Sequence, residues 1–170
     1  GYNFTENAGK VKSQGIELES KVRATSALTL GLAGSFTDAV ANGPILNLGA
    51  ADGDRAPYFP RTIITVSGEY DVPLPRGKIA ISTDYTYRSN QFTDFSPSAS
   101  DYEEIPSSVL LNGSIGYVTD QWSLTLYGTN LTSNHLVSLN DTNFNGIYQP
   151  GNLEYWGRPR TVGVHAHVKF

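Results

Sequence analysis

Along residues 161–170 the side chains alternate without a break. Val162, Val164, Ala166, Val168 and Phe170 take the even positions; Thr161, Gly163, His165, His167 and Lys169 take the odd ones. A period of two sends successive side chains to opposite faces of a strand, so this stretch reads as a ribbon with one apolar and one polar, basic face. Residues 11–24 set Ile16, Leu18, Val22 and Ala24 against Glu17, Glu19, Lys21 and Arg23. Residues 28–39 set Leu28, Leu30, Leu32 and Phe36 against Thr29, Ser35 and Thr37. Residues 62–73 set Ile64, Val66, Tyr70 and Val72 against Thr65, Ser67, Glu69 and Asp71. The same holds for residues 78–93 (Ile79, Ile81, Tyr85, Tyr87 against Lys78, Ser82, Asp84, Thr86, Arg88) and for 107–118 (Val109, Leu111, Ile115, Tyr117 against Asn112, Ser114, Gly116). Residues 122–138 set Trp122, Leu124 and Leu126 against Ser123, Thr125, Tyr127 and Thr129. About seven strands are therefore predicted, with no helical period of useful length.

The connections alternate too. Short turns fall near Ser26, at 74–77 and at 119–121; long, irregular stretches rich in Gly, Pro, Ser and Asp fall at 42–60, 94–106 and 139–157. The predicted strands run to roughly 10–16 residues, against about five or six in a soluble sheet. A tilted membrane-spanning strand needs about 9–11. Long strands, two-faced alternation, short turns on one side and a final aromatic on the apolar face together describe an outer-membrane β-barrel, with lipid outside and a polar lumen inside.

If the last strand runs toward the periplasm, the long connections are outside and the first strand begins outside. A complete single-chain bacterial barrel has an even strand number with both ends inside. An odd set also leaves two unpaired edges, which lipid cannot satisfy. The expectation is an all-β, antiparallel segment of a larger barrel. The start at Gly1, without Met or signal peptide, reads as N-terminal truncation.

Composition narrows the chemistry. No run approaches 18 apolar residues, so the helical membrane class is excluded. The absence of Cys excludes a disulfide scaffold and a thiolate metal site. A net charge of −4 offers no basic patch, so no nucleic-acid partner is expected. There is no G-x-S-x-G elbow, paired-histidine zinc motif or P-loop, so no catalytic residues and no cofactor are assigned.

The binding candidates fall into three groups. Glu17, Glu19, Lys21, Arg23, Glu69, Asp71, Asp84, Arg88, His165, His167 and Lys169 are placed on the lumen face, where they could guide substrate or hold a plug. The plainer reading is that a wet lumen tolerates charge and lipid does not. The loop aromatics Tyr58, Phe59, Phe92, Phe95, Tyr102, Phe144, Tyr148, Tyr155 and Trp156 are the substrate-contact candidates, because aromatic faces stack on sugars, catecholates or haem. Girdle or loop packing is the alternative for them. His165 and His167 have a spacing that could present two imidazoles to one metal, but no third ligand has a place, and they read as a solvated pair. His135 lies near the outer end of the sixth strand without a partner. Residues 141–146 match the first half of a calcium loop, yet position twelve is Asn152 rather than Glu, so no metal is assigned. Arg158-Pro159-Arg160 sets the approach to the last strand, where Pro is tolerated.

Several segments resemble the C-terminal barrel of TonB-dependent outer-membrane receptors. Asn7-Ala8-Gly9 followed by Ser13-Gln14-Gly15-Ile16-Glu17-Leu18-Glu19 is similar to that family's N-x-G … G-[IV]-E-x-E strand. Ser35-Phe36-Thr37-Asp38-Ala39, Ala56-Pro57-Tyr58-Phe59-Pro60 and Tyr127-Gly128-Thr129-Asn130-Leu131-Thr132 resemble three further family segments. Tyr155 through Val164, with the terminal Phe170, resembles the closing strand.

The resemblance implies a barrel of about 22 strands with a plugged lumen. Residues 1–170 would be its C-terminal part, the plug domain and N-terminal strands lying outside this sequence. It implies residence in the Gram-negative outer membrane and energy-coupled import of a scarce small molecule. Ferric siderophores lead among substrates, with oligosaccharides next. It implies outer-membrane lipid, the plug, the remaining barrel strands and a TonB-type coupling complex as partners. Phe170 resembles the signal read by the barrel-assembly machinery. The rival readings are a passive porin-like barrel, a soluble all-β carbohydrate-binding module and, more remotely, an outer-membrane enzyme.

Overall fold

A computed structural model describes residues 9–99, 102–134, 137–141 and 153–169, with backbone alone for 137–141 and 153–156. The strands are β1 (Val11–Arg23), β2 (Leu28–Ala41), β3 (Thr62–Leu74), β4 (Gly77–Arg88), β5 (Gln91–Phe92) and β6 (Glu104–Ile105). They continue with β7 (Ser108–Val118), β8 (Trp122–Thr129), β9 (Val137–Asp141), β10 (Leu153–Trp156) and β11 (Thr161–Val168), and a single 3₁₀ turn spans Leu46–Leu48. Seven of them form one sheet in the order β1-β2-β3-β4-β7-β8-β11, antiparallel throughout.

The register keeps apolar residues in line across the whole sheet. Ile16 faces Phe36 and Val22 faces Leu30; Leu32 faces Val66, and Val66 faces Tyr85. Tyr85 in turn faces Leu111, Ile115 faces Leu126, and Leu126 faces Val164. A slip of one residue would turn every one of these side chains to the other face, so the pattern fixes the pairing.

What is unusual is where the burial lies. Ile16 is 75% exposed, Leu18 58%, Val162 62% and Val164 65%. Among the described residues the buried apolar side chains are Ala39, Ala41, Ile45, Ala50 and Ile105, which belong to the long loops and the strand ends beside them. No facing sheet or helix covers the apolar belt among the described residues. A belt of this extent left open on a folded sheet is suited to hydrocarbon rather than water.

The two rims differ. Short turns join β1–β2, β3–β4 and β7–β8, closed by bonds such as Thr25 N to Leu28 O (3.2 Å) and Thr119 N to Trp122 O (2.9 Å). Gly77 sits at φ 133 hard against the Val118 carbonyl, a turn position that only glycine fills without strain. The long connections all lie at the opposite rim. Two of them depart from the expected irregular loops, because β5 pairs with β6 and β9 with β10 as small separate hairpins.

Two predicted strands are also shorter than expected. The 78–93 stretch leaves the sheet after Arg88, because Ser89 closes it: its N–H bonds to the Thr62 carbonyl and its hydroxyl accepts the Thr62 N–H (3.1 Å). The 122–138 stretch ends at Thr129, because Asn130 takes a left-handed conformation (φ 49) that no strand can continue.

Candidate functional site

The polar face carries the charges that alternation placed there. Glu17, Glu19, Lys21 and Arg23 follow one another along β1, Glu69 and Asp71 lie on β3, Asp84 and Arg88 on β4. The fold brings some of them together. Lys21 Nζ reaches Glu69 Oε1 at 3.0 Å across the intervening β2. Lys78 Nζ meets Asp71 Oδ2 at 2.6 Å, and the Arg23 guanidinium donates to the Ser26 carbonyl at 3.0 Å. Asp84 accepts from Asn112 Nδ2 at 2.8 Å. Glu17, Glu19 and Arg88 are not gathered with the others by any of these bonds. The two lysine pairs are more than a third exposed, so each contributes under about 1 kcal/mol.

His165 and His167 stand exposed on the same face of β11, opposite Thr125 and Ser123. Among the described residues no group of three His, Cys, Asp or Glu side chains converges on a metal site. Lys169 follows β11 and is exposed, its N–H bonded to the Gln121 carbonyl at 2.8 Å.

At the long-loop rim the aromatic candidates divide. Phe92 stacks on Tyr102 with ring centroids 5.0 Å apart and planes 12° off parallel. The Arg55 guanidinium lies over the Phe92 ring, 4.8 Å from its centroid, and donates to the Asn90 carbonyl at 3.3 Å. Phe95 packs against the cluster of Ala41, Ile45 and Ala50. Phe92 and Phe95 therefore join one loop to the other, while Tyr102 braces Phe92 from within its own loop. Tyr58 and Phe59 are different, at 36% and 38% exposure. Tyr155 and Trp156 lie on β10, whose backbone alone is described. Phe144, Tyr148, Phe170, His135 and residues 142–152 of the calcium-like stretch lie outside the described residues.

Burial lowers the pKa of Arg55 from its ordinary value, and the nearby Arg61 lowers it further, while Tyr102, Asp38 and Glu104 pull the other way. Around it Arg61 pairs with Asp38 at 2.7 Å, and Asn90 Nδ2 donates to Glu104 Oε1 at 2.7 Å. Arg55, Arg61 and Asn90 carried no signal in the sequence, since nothing in a non-periodic loop says which of its polar groups turn inward, and Asp38, at the outer end of β2, reads only as part of a strand.

A second missed residue is Asn130, at 4% exposure. Its N–H donates to Asn112 Oδ1 (2.9 Å); its Nδ2 donates to the carbonyls of Asn134 (2.9 Å) and Arg158 (3.1 Å); its Oδ1 accepts from the Asn134 N–H (3.0 Å). Its place in an Asn-Leu-Thr segment, with two further polar residues behind it, is the signal that marks a side-chain-bonded turn.

Comparison with known proteins places this geometry. A family model described as TonB dependent receptor-like, beta-barrel, matches residues 1–131. A comparison with curated protein sequences finds no match. Among solved structures, the chain is similar to the ferric yersiniabactin uptake receptor FyuA from Yersinia pestis (19% identity, TM-score 0.79), covering 96% of this chain and 24% of that one. It is similar also to the ferric-catecholate import receptor Fiu from K12 E. coli (18%, 0.71, covering 95% and 21%). A third is BauA, the ferric preacinetobactin receptor from Acinetobacter baumannii (18%, 0.71, covering 94% and 22%). The chain thus spans about a quarter of the length of the receptors whose barrels it matches.

Proposed function

The chain belongs to the TonB-dependent receptor-like β-barrel family, and from that premise we propose that it forms part of the wall and the outer loops of an energy-coupled importer in the Gram-negative outer membrane. The observation that carries this reading is the register. Seven strands hold apolar side chains in line on one face and polar ones on the other, with nothing among the described residues covering the apolar face. Lipid is the solvent that satisfies the first face, and a water-filled or plugged lumen the second. The rim of long loops then faces outside and the rim of short turns faces the periplasm. Residues 1–170 act as the C-terminal part of the barrel. Further strands of the same protein cover the edges of β1 and β11, and a plug domain fills the lumen and is pulled by a TonB-type complex. The barrel-assembly machinery inserts the whole, with Phe170 as its signal.

For the substrate, the solved receptors of like fold are those for ferric yersiniabactin, ferric catecholate and ferric preacinetobactin. They support a ferric siderophore as the cargo here. Tyr58 and Phe59 are the contact residues favoured by their exposure at the outer rim; Tyr155, Trp156, Phe144 and Tyr148 stand as further candidates from their sequence position alone. Uptake of labelled ferric siderophores by a deletion strain on iron-limited medium, with single glycans as the comparison, tests this. Loss of uptake for one siderophore, restored by the gene, is the expected result. Unchanged uptake of every siderophore, with loss for a glycan, would reassign the cargo.

A further inference from the structure

Among the described residues the buried apolar side chains sit in the outer loops and at the strand ends beside them, and one cluster is shared between two connections far apart in sequence. Ala41 closes β2, and Ile45 and Ala50 come from the connection between β2 and β3; Phe95, which packs on them, comes from the connection between β4 and β7. The contact is repeated along the length of both segments. The Tyr58 N–H donates to the Phe92 carbonyl at 2.7 Å, Arg55 donates to the Asn90 carbonyl and covers the Phe92 ring, and a side chain on Gly49 would touch Ser96. Gln91 and Ser96 are buried, at 5% and 8% exposure.

We propose that these two outer loops form one preassembled cap that moves as a single body, with Arg55 and Phe95 as the positioning residues that lock the loops together. Loops that carried only their own surface turns would fluctuate separately. Here each supplies half of a common core, and a ring contacted by a guanidinium from one side of the sequence gap and by Tyr102 from the other spans the join. Anything that presses on Tyr58 or Phe59 is therefore delivered to the β5–β6 hairpin, and through it to the outer ends of β4 and β7. Arg55 is half-buried against Phe92, and that burial lowers its pKa, as expected of a cation drawn partly out of water by the join.

Hydrogen exchange on the full-length receptor in detergent, without substrate, tests the coupling independently of the transport reading. Phe95→Ala should raise exchange at the amides of Ile45, Ala50 and Gly53, in the other loop, by about tenfold or more. Arg55→Ala should do the same at Thr93 and Glu103. Strand amides of β8 should not change and serve as the control for folding. If Phe95→Ala fails to insert, Phe95→Leu and Arg55→Gln replace it. A second measurement uses spin labels at Leu46→Cys and Ser98→Cys: one narrow distance is expected in the parent and a broad one with Arg55→Ala. Exchange that rises only in the loop carrying the substitution, or a distance already broad in the parent, overturns the single-body cap.

Discussion

The Nδ2 of Asn130, just past the end of β8, donates to the carbonyl of Arg158, just before β11, at 3.1 Å. One buried amide thus ties together the two ends of the longest connection in the chain, and its N–H reaches back to Asn112 on β7. Asn130→Gly keeps the left-handed backbone and removes the side-chain bonds, for an expected loss of about 1–3 kcal/mol. Asn130→Ala adds the cost of a Cβ at positive φ, about 1–2 kcal/mol more. Thermal unfolding of the purified receptor in detergent checks the order: parent above Gly, Gly above Ala. Equal transitions for all three would mean that this anchor holds nothing.

The aromatic residues at the outer rim should separate by role. Phe59→Ala removes an exposed ring and should weaken substrate binding about tenfold, some 1.4 kcal/mol, with the cap unchanged. Phe92→Ala removes a ring that stacks on Tyr102 and lies under Arg55, so it should loosen the loops as well as reduce binding. Titration with ferric siderophore alongside hydrogen exchange distinguishes the two. If Phe92→Ala lowers binding and leaves loop exchange untouched, the ring touches substrate and the packing role assigned to it is wrong.

The sheet could be read from the chain because a half-buried ribbon leaves a period-two trace, and all seven alternating stretches appear in one sheet. Two strands read as too long because the break in alternation is easy to pass over. In β4 the apolar positions are odd, so Gln91 and Phe92 already fall out of phase, and they pair instead with Glu104 and Ile105 after Ser89 closes β4 with its own hydroxyl. In Trp122 through Ser138 the apolar even positions give way at Asn130, with Leu131 on the other parity, and Asn130 ends the strand through its side-chain bonds. The loop core was beyond reach for a different reason. Ala41, Ile45, Ala50 and Phe95 meet only through tertiary folding, and four apolar residues scattered over two Gly- and Ser-rich segments have no period to reveal them.

The Lys21–Glu69 pair reaches across the intervening strand β2, where Lys21 lies opposite Gly31 and Glu69 opposite Thr29. Both side chains are about two-thirds exposed, so a double-mutant cycle with Lys21→Ala and Glu69→Ala should give a coupling below about 1 kcal/mol that fades at high salt. Gly31→Val should clash with Ser67 Oγ, the nearest atom a side chain there would meet, and so lower stability without acting on the pair itself. A coupling of several kcal/mol would contradict the exposure of the pair and would require something in the lumen to shield it from water.

Thr125 and Leu126 are neighbours on β8 with the same backbone pairing to β11 and opposite directions for their side chains. Thr125 faces His165 on the polar side; Leu126, 49% exposed, faces Val164 in the middle of the apolar belt. Arginine at the two positions therefore meets different solvents. Leu126→Arg puts a charge into hydrocarbon at a cost of about 2–4 kcal/mol near the bilayer midplane, whereas Thr125→Arg puts it into the lumen at little cost. The folded, heat-modifiable fraction in outer membranes should fall sharply for the first and stay near the parent for the second. The comparison is internal, since strand, backbone bonding and substituted residue are shared and only the face differs. Equal folding of the two variants would mean that lipid does not bathe the apolar face, and the barrel reading would fail with it.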